Sequence, residues 1–249
     1  MLLQGKPMPQ SKMSNRPVQI IGHRGASGLA PENTLAAFHK AVELRLDAVE
    51  FDVQRTSDGY LVVFHDDELD RVTNGTGLLR ERTLSSLKAL DAGSGFSKEF
   101  KDERIPTLRE LFNLMRDNAL LLYLEMKDPS LFPGIEEEIA ALIQEYHFVE
   151  RCCVRSFDHA SLHRFHRVAP EVPVSELWYT KFPSAEETTY PTLNLMFGLC
   201  TAEQVAAAHA RGQKVTCWTV NEVEDAKHLI GMGVDGLTGD YPDRLLALF

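Results

Sequence analysis

The stretch Ala48-Val49-Glu50-Phe51-Asp52-Val53 is apolar and partly β-branched, and this pattern predicts a buried strand that carries two carboxylates. The preceding stretch, Leu35–Leu44, is predicted to be a helix that begins after Thr34 as its N-cap. The same alternation of strand and helix continues to the end of the chain, which gives about eight βα units. Apolar strands covered on both faces by helices favour a parallel sheet. This number of units favours closure into a (β/α)8 TIM barrel over an open, doubly wound sheet.

Two stretches depart from this alternation. Residues 66–105 separate the early strands from a helix predicted at Thr107–Arg116, and they are too long for an ordinary loop, so they predict a small insertion over the barrel mouth. Thr180–Tyr190 leaves so little room that its helix is expected to be short or degenerate. We expect a mobile tail at residues 1–17 and a single barrel domain at residues 18–249.

The composition excludes several classes of protein. Asp and Glu number 36 against 26 Lys and Arg, and a net charge of -10 argues against a nucleic-acid partner. Four cysteines without a Cys-x-x-Cys pair indicate neither a zinc site nor a disulfide framework. The chain shows neither a signal peptide nor a run of about 18 apolar residues. We therefore expect a cytoplasmic location without stable membrane association.

Residues that can carry chemistry gather at the predicted ends of strands, where the active sites of such barrels lie. They are His23 and Arg24 after the first strand, Glu50 and Asp52 on the second, His65 and Asp66 after the next extended run, and Glu125 and Lys127 at the end of Leu120–Met126. The i, i+2 spacing places Glu50 and Asp52 on one face of their strand, and it places Glu125 and Lys127 on one face of theirs. Carboxylates inside a barrel need a cation or dense hydrogen bonding.

Oxygen ligands without grouped sulfur ligands predict a hard divalent cation, Mg²⁺ or Ca²⁺, and its expected ligands are Glu50, Asp52 and Glu125. Three carboxylates exceed the charge of such an ion, so an anionic phosphodiester would also need Arg24 and Lys127. The pair His23 and His65 suits proton transfer in both directions.

Seven short motifs occur in order along the chain: His23-Arg24-Gly25, Pro31-Glu32-Asn33-Thr34, Glu50-x-Asp52, His65-Asp66, Glu125-x-Lys127, Trp218-Thr219-Val220-Asn221 and Gly233-Val234-Asp235-Gly236. Together they resemble the glycerophosphodiester phosphodiesterases across about residues 18–245. The resemblance implies a TIM barrel with a small insertion, a bound divalent cation, and hydrolysis of glycerophosphodiesters to glycerol 3-phosphate and an alcohol.

The same resemblance implies a role for each matching residue. It makes His23 and His65 the acid–base pair, Glu50, Asp52 and Glu125 the metal ligands, Arg24 and Lys127 the phosphate contacts, and Trp218 a wall against the glycerol. Glu32 and Asn33 are expected to support these groups from behind. Gly239 stands directly before Asp240 where the family more often has Thr, so we expect a local change in the last loop.

Several alternatives remain open at this point. Either water attacks phosphorus directly, or a neighbouring substrate hydroxyl attacks first and gives a cyclic phosphate. A lysophospholipase D-like or cyclic-phosphate-forming relative that acts on lipids would need an apolar rim, which the sequence does not reveal. A non-catalytic, metabolite-binding barrel is the third alternative. A minor one is a transition-metal site at His159, His163 and His166, but the neighbouring Arg155, Arg164 and Arg167 favour a solvated basic face.

Overall fold

The structure is a computed structural model that describes residues 16–188 and 190–249. Most of the tail predicted at residues 1–17 therefore lies outside the described residues. The strands are β1 Gln19–Gly22, β2 Ala48–Arg55, β3 Leu61–Val63, β4 Leu121–Met126, β5 Cys152–Ser156, β6 Val174–Trp178, β7 Thr192–Met196, β8 Lys214–Trp218 and β9 Gly236–Gly239. The α-helices are α1 Leu35–Glu43, α2 Leu84–Lys88, α3 Leu108–Met115, α4 Ile135–Glu145, α5 His159–Val168, α6 Ala202–Ala210, α7 Val223–Met232 and α8 Pro242–Leu246.

Eight parallel strands close into a barrel in the order β1-β9-β8-β7-β6-β5-β4-β2, and β1 pairs with β2 to complete the ring. The TIM barrel with a small insertion is thus confirmed. The strand β3 stands apart, because it pairs antiparallel with the outer half of β2, with Val53 opposite Val63 and Arg55 opposite Leu61. This hairpin leads the chain away from the barrel and into the insertion.

Several of the helices begin where a side chain caps free N–H groups. The hydroxyl of Thr34 accepts from the backbone of Ala37 at the start of α1, as the sequence predicts. Thr107 and Glu110 form a reciprocal capping box at the start of α3. No helix of the described residues has the length and apolar character needed to cross a bilayer.

The two faces of the barrel strands differ in what they bury. Outward-facing side chains pack against the helices in the main core, as Phe51 does against Phe38 with ring centroids 5.9 Å apart. The inward-facing side chains near the amino ends of the strands form a smaller apolar cluster made of Ile21, Ala48, Leu121, Tyr123 and Cys153. Because this cluster fills the lower interior, polar groups on the same strand faces are left at the carboxyl ends.

The insertion between β3 and α3 has an apolar cluster of its own. It contains two short 3-10 helices, Leu79–Glu81 and Lys98–Phe100, as well as α2. Its buried side chains are Val62, Phe64, Leu69, Leu79, Leu87, Ala92 and Ile105. Between β6 and β7, the described part of the chain forms turns and no helix, in agreement with the little room at Thr180–Tyr190.

Candidate active site

The turn after β1 aims two residues at the barrel mouth. Arg24 and Gly25 both have positive φ, 50° and 86°, so the chain reverses sharply after His23. Gly22 is required here, because a Cβ atom at this position would lie 2.0 Å from the carbonyl oxygen of Gly25. The backbone N–H of Arg24 donates to Oε2 of Glu50 over 3.0 Å, which ties the turn to β2.

The three carboxylates expected to bind a cation come together in the barrel. Asp52 on β2 lies opposite Glu125 on β4, and each of Glu50, Asp52 and Glu125 offers a ligand oxygen within 4.8 Å of the other two. All three side chains are almost fully buried. Such a concentration of negative charge away from water is costly unless a cation balances it, and hard divalent cations prefer oxygen ligands. These residues therefore fit a divalent cation.

Burial and mutual repulsion act on the protonation of this cluster. Burial, together with the negative charges of Asp52 and Glu50, raises the pKa of Glu125 to about 8, although the neighbouring Lys127 acts to lower it. The pKa of Glu50 is also raised, by burial and by Asp52. Burial opposes ionisation of Asp52 as well, but the charges of Arg24, His65 and Lys127 keep its pKa below the usual range.

Two cationic side chains and one amide hold the carboxylates in place. Nζ of Lys127 lies 2.9 Å from Oε1 of Glu125. Nε of Arg24 lies 3.5 Å from Oδ2 of Asp52, and the amide of Asn33 donates to the same oxygen over 2.8 Å. The structure thus places Arg24, Lys127 and Asn33 beside the carboxylates.

His23 is held by a carboxylate from the other end of the chain. Its Nδ1 lies 2.6 Å from Oδ1 of Asp240, which also accepts from the hydroxyl of Ser27, while its Nε2 lies 3.9 Å from Oε2 of Glu50. Burial lowers the pKa of His23, but the hydrogen bond to Asp240 and the charge of Glu50 outweigh burial and raise it. Sequence reasoning did not propose Asp240 as a site residue.

His65 has a different partner and a different environment. Its Nδ1 lies 2.6 Å from Oδ1 of Asp66, and its Nε2 lies 3.3 Å from Nζ of Lys127. The side-chain amide of Gln54 donates to the carbonyl of His65 over 3.0 Å, which fixes the backbone there. Burial, together with the charges of Arg24 and Lys127, lowers the pKa of His65. The two histidines of the site therefore differ in the direction of their pKa shifts.

Glu32 supports Arg24 and has no hydrogen bond to the carboxylate cluster. Its carboxylate accepts from Nη1 of Arg24 over 2.8 Å and from two nitrogens of Arg71. Arg71 belongs to the insertion, and it also donates to Asp66, the partner of His65. Sequence reasoning missed Arg71, because nothing in the local sequence connects it with residues of the barrel.

The pocket has a charged side and an apolar side. The carboxylates, the two histidines, Arg24 and Lys127 line the first; Phe157, Leu177 and Trp218 line the second. The ring of Phe157 lies 5.6 Å from that of Trp218 and 5.4 Å from that of Tyr179, centroid to centroid. Phe157, Tyr179 and Met196 are exposed, and they form an apolar rim at the ends of β5, β6 and β7. The sequence did not reveal this rim.

Arg155 is buried in the barrel, so its expected place on a solvated basic face was wrong. It lies on β5 with 2% of its surface exposed, and it lines the same pocket as Glu125 and Lys127. His159, His163 and His166 do lie on α5, but among the described residues the only cluster that offers three metal ligands within reach is the carboxylate cluster.

The sequence is similar to those of known proteins. The sequence profile of the glycerophosphoryl diester phosphodiesterase family matches residues 23–244. The chain is 41% identical over 238 residues to a glycerophosphodiester phosphodiesterase of Caldanaerobacter subterraneus subsp. tengcongensis, which covers 92% of this chain and 96% of the relative. It is 38% identical over 234 residues, 91% of this chain and 96% of the relative, to the Bacillus subtilis protein described as putative glycerophosphodiester phosphodiesterase YhdW.

Solved structures show the same fold. A phosphodiesterase of Oleispira antarctica, in complex with the product sn-glycerol-3-phosphate, superposes with a TM-score of 0.83 at 34% identity and covers 92% of this chain and 95% of its own. A glycerophosphodiester phosphodiesterase of Agrobacterium tumefaciens superposes with a TM-score of 0.79 at 27% identity and covers 92% of this chain and 99% of its own.

Proposed function

The chain belongs to the glycerophosphoryl diester phosphodiesterase family, and on this basis we propose that it hydrolyses water-soluble glycerophosphodiesters to glycerol 3-phosphate and an alcohol. The chain is an enzyme of the phosphoric diester hydrolase class. One observation carries the substrate proposal: three buried carboxylates and two histidines with separate carboxylate partners line one pocket at the carboxyl ends of the barrel strands. The relative from Oleispira antarctica, with its bound product, supports the same substrate class.

Glu50, Asp52 and Glu125 would hold one divalent cation, Mg²⁺ or Ca²⁺. The fit rests on the ligand set, because the three buried carboxylates offer oxygen atoms within 4.8 Å of one another, and hard divalent cations prefer oxygen ligands. A divalent cation held by these residues would offset negative charge on the phosphoryl oxygens. The remaining steps depend on groups of the chain itself.

The polar side chains divide the work on the substrate. Arg24 and Lys127 bind the phosphate, and both line the pocket beside the carboxylates. His23 and His65 transfer protons, one to the leaving alcohol and one from the attacking oxygen, because an alkoxide leaves poorly without a proton. Their carboxylate partners, Asp240 and Asp66, fix the ring orientations through Nδ1 and leave Nε2 facing the site.

Three further residues contact the substrate or hold these groups in position. Trp218 forms part of the wall against the glycerol half of the substrate. Asn33 orients Asp52 through its amide, and Glu32 orients Arg24 through its carboxylate. Fixed positions of this kind lower the barrier, because reacting groups need little reorganisation.

Release of glycerol 3-phosphate from a panel of glycerophosphodiesters tests the proposal. We expect release that EDTA abolishes and that added Ca²⁺ or Mg²⁺ restores. Equal release before and after chelation would contradict the cation requirement. No release from any member of the panel, with cation binding intact, would contradict the substrate class and favour a barrel that only binds a metabolite.

The apolar rim favours a second candidate function, in which the alcohol half of the substrate is a lipid. Phe157 lines the pocket, Tyr179 contacts Phe157, and Met196 lies beside the pocket residue Trp218 in the strand register, and all three expose apolar surface. Turnover of a lysophospholipid and of glycerophosphocholine can be compared in one assay. A higher kcat/KM for the lysophospholipid would favour this second function over the first.

We further propose that residues 18–249 form one catalytic domain, with residues 66–105 as its insertion. The contacts of Arg71 with Glu32 and Asp66 support this, because the insertion thereby adjoins the site. Limited proteolysis that removed the insertion and left activity intact would contradict it. The cytoplasmic location and the lack of stable membrane association stay predictions, which cell fractionation and liposome partitioning test.

A further inference from the structure

Arg155 occupies a position in the barrel that the mechanism above does not use. It lies on β5 between Glu125 of β4 and Ser175 of β6 in the strand register. Its guanidinium carbon lies 3.7 Å from the centroid of the Tyr123 ring, which belongs to the apolar cluster in the lower barrel. The side chain is therefore packed at the closed end of the pocket, beneath the carboxylates.

Two guanidinium nitrogens of Arg155, Nε and Nη2, have no hydrogen-bond partner among the described residues. The nearby polar side chains are engaged with each other: Asn194 donates to the hydroxyl of Ser175, and Ser175 donates to the carbonyl of Thr192. Buried N–H groups of a cation without an acceptor are costly. An oxygen atom supplied from outside the chain would remove that cost.

Arg155 also lines the pocket that would hold the substrate, together with Glu125, Lys127 and Leu177. The phosphate of a substrate must lie beside Arg24 and Lys127. Barrel interiors are filled by side chains, so only a small group fits between the phosphate and the closed end. The glycerol half is that small group, because the variable alcohol half needs the open mouth.

We propose that Arg155 donates a hydrogen bond to the terminal hydroxyl of the glycerol half and so determines specificity for glycerol. This inference rests on the proposed function and adds a residue that determines the substrate specificity. A site built to bind a hydroxyl rejects an analogue that lacks it, because the buried donor is then left without a partner. We expect the discrimination to be on the order of a hundredfold in kcat/KM.

The experiment compares two substrates and several variants. The substrates are glycerophosphocholine and the corresponding propane-1,2-diol phosphodiester, which lacks the terminal hydroxyl and keeps the one next to the phosphate. We expect the unsubstituted protein to prefer glycerophosphocholine about a hundredfold. In Arg155→Met the preference should fall to within about threefold, with the loss confined to glycerophosphocholine.

Arg151→Met serves as the matched control. Arg151 immediately precedes β5 and donates to the carbonyls of Asn118 and Met115, at the opposite end of the barrel. Its substitution should leave the substrate preference unchanged. Arg155→Lys keeps the charge and much of the packing but loses the planar fork, so it tests the same hydrogen bond if Arg155→Met does not fold.

Each outcome decides the inference. An equal loss of kcat/KM for both substrates in either Arg155 variant would assign Arg155 a structural role and overturn the inference. The absence of a preference between the two substrates in the unsubstituted protein would overturn it as well. Preference for a diester with a carboxylate in place of the terminal hydroxyl would overturn it in favour of an anion site. If no diester is hydrolysed, the proposed function fails. Calorimetric titration of glycerol 3-phosphate into the unsubstituted protein and into Arg155→Met still tests the role of Arg155, and we expect weaker binding to Arg155→Met.

Discussion

Arg71 and Glu32 are joined by two hydrogen bonds of 2.7 Å, although 39 residues separate them in the sequence. The same guanidinium donates to both carboxylate oxygens of Asp66 over 2.6 and 3.0 Å. Glu32 holds Arg24, and Asp66 holds His65. One arginine of the insertion therefore braces a phosphate-binding residue and a proton-transfer residue at the same time.

Replacing Arg71 by Gln should lower kcat about tenfold to a hundredfold, because Arg24 and His65 both lose their bracing and small misplacements are costly. Thermal stability should change little, since Arg71 is 48% exposed and exposed ion pairs stabilise weakly. Steady-state kinetics and thermal unfolding measure both effects. Arg80→Gln, within the same insertion, is the control, and an equal loss of kcat there would argue against a bracing role.

Removing either histidine should reduce kcat by at least about a hundredfold while the protein stays folded, as expected for lost acid–base groups. The variants are His23→Ala and His65→Ala, with the exposed His39→Ala of α1 as the control. Circular dichroism verifies the fold, and release of glycerol 3-phosphate measures the rate. A near-normal rate in either variant would remove that histidine from the mechanism.

Asp240→Asn should lower the pKa of His23. Burial, the largest influence, already lowers this pKa, and the hydrogen bond and charge of Asp240 oppose it. Without the carboxylate, the limb of the pH–rate profile due to His23 should therefore move to lower pH, and kcat/KM should fall about tenfold or more. The exposed Asp117→Asn is the control. A pH–rate profile of Asp240→Asn with both limbs at the same pH as in the unsubstituted protein would show that Asp240 does not set the pKa of His23.

Cation affinity should rise with pH up to about 8. Burial raises the pKa of Glu125 to about 8, so in the cation-free protein this carboxyl holds its proton at pH 7. A bound cation must displace that proton, and the cost vanishes as pH passes the pKa. Calorimetric titration with Ca²⁺ in buffers of different ionisation enthalpy measures affinity and proton release together.

Glu125→Gln should bind Ca²⁺ more weakly and lose most of this pH dependence, whereas the exposed Glu137→Gln should behave as the unsubstituted protein. Constant affinity between pH 6 and 8 without proton release would show that Glu125 is ionised before the cation binds, or that it is not a ligand.

Local sequence patterns predict the positions of the carboxylates and histidines well, for a physical reason. Period-two spacing defines the face of a strand, and in such barrels strand ends meet at one mouth, so Glu50, Asp52 and Glu125 could be grouped without coordinates. The helix starts at Thr34 and Thr107 could also be predicted from the local sequence, because capping involves residues within one turn.

The missed residues depend on contacts that local patterns do not encode. Asp240 reaches His23 across 217 residues, and Arg71 reaches Glu32 only through the path of the insertion. Arg155 was placed wrongly because β5 is buried on both faces, so its sequence Cys152-Cys153-Val154-Arg155-Ser156 shows no alternation that would reveal which side chains face inward.

The pairing of β1 with β9 sets an order of events during protein synthesis. His23 leaves the ribosome well before its partner Asp240 and the strand that closes the ring, because Asp240 lies 217 positions further along the sequence. Until Gly236–Gly239 is available, the sheet keeps two open edges, which invite pairing with other chains. A chain that ends before this strand keeps both edges open and lacks the carboxylate that holds His23, so we expect it to aggregate and to have no activity.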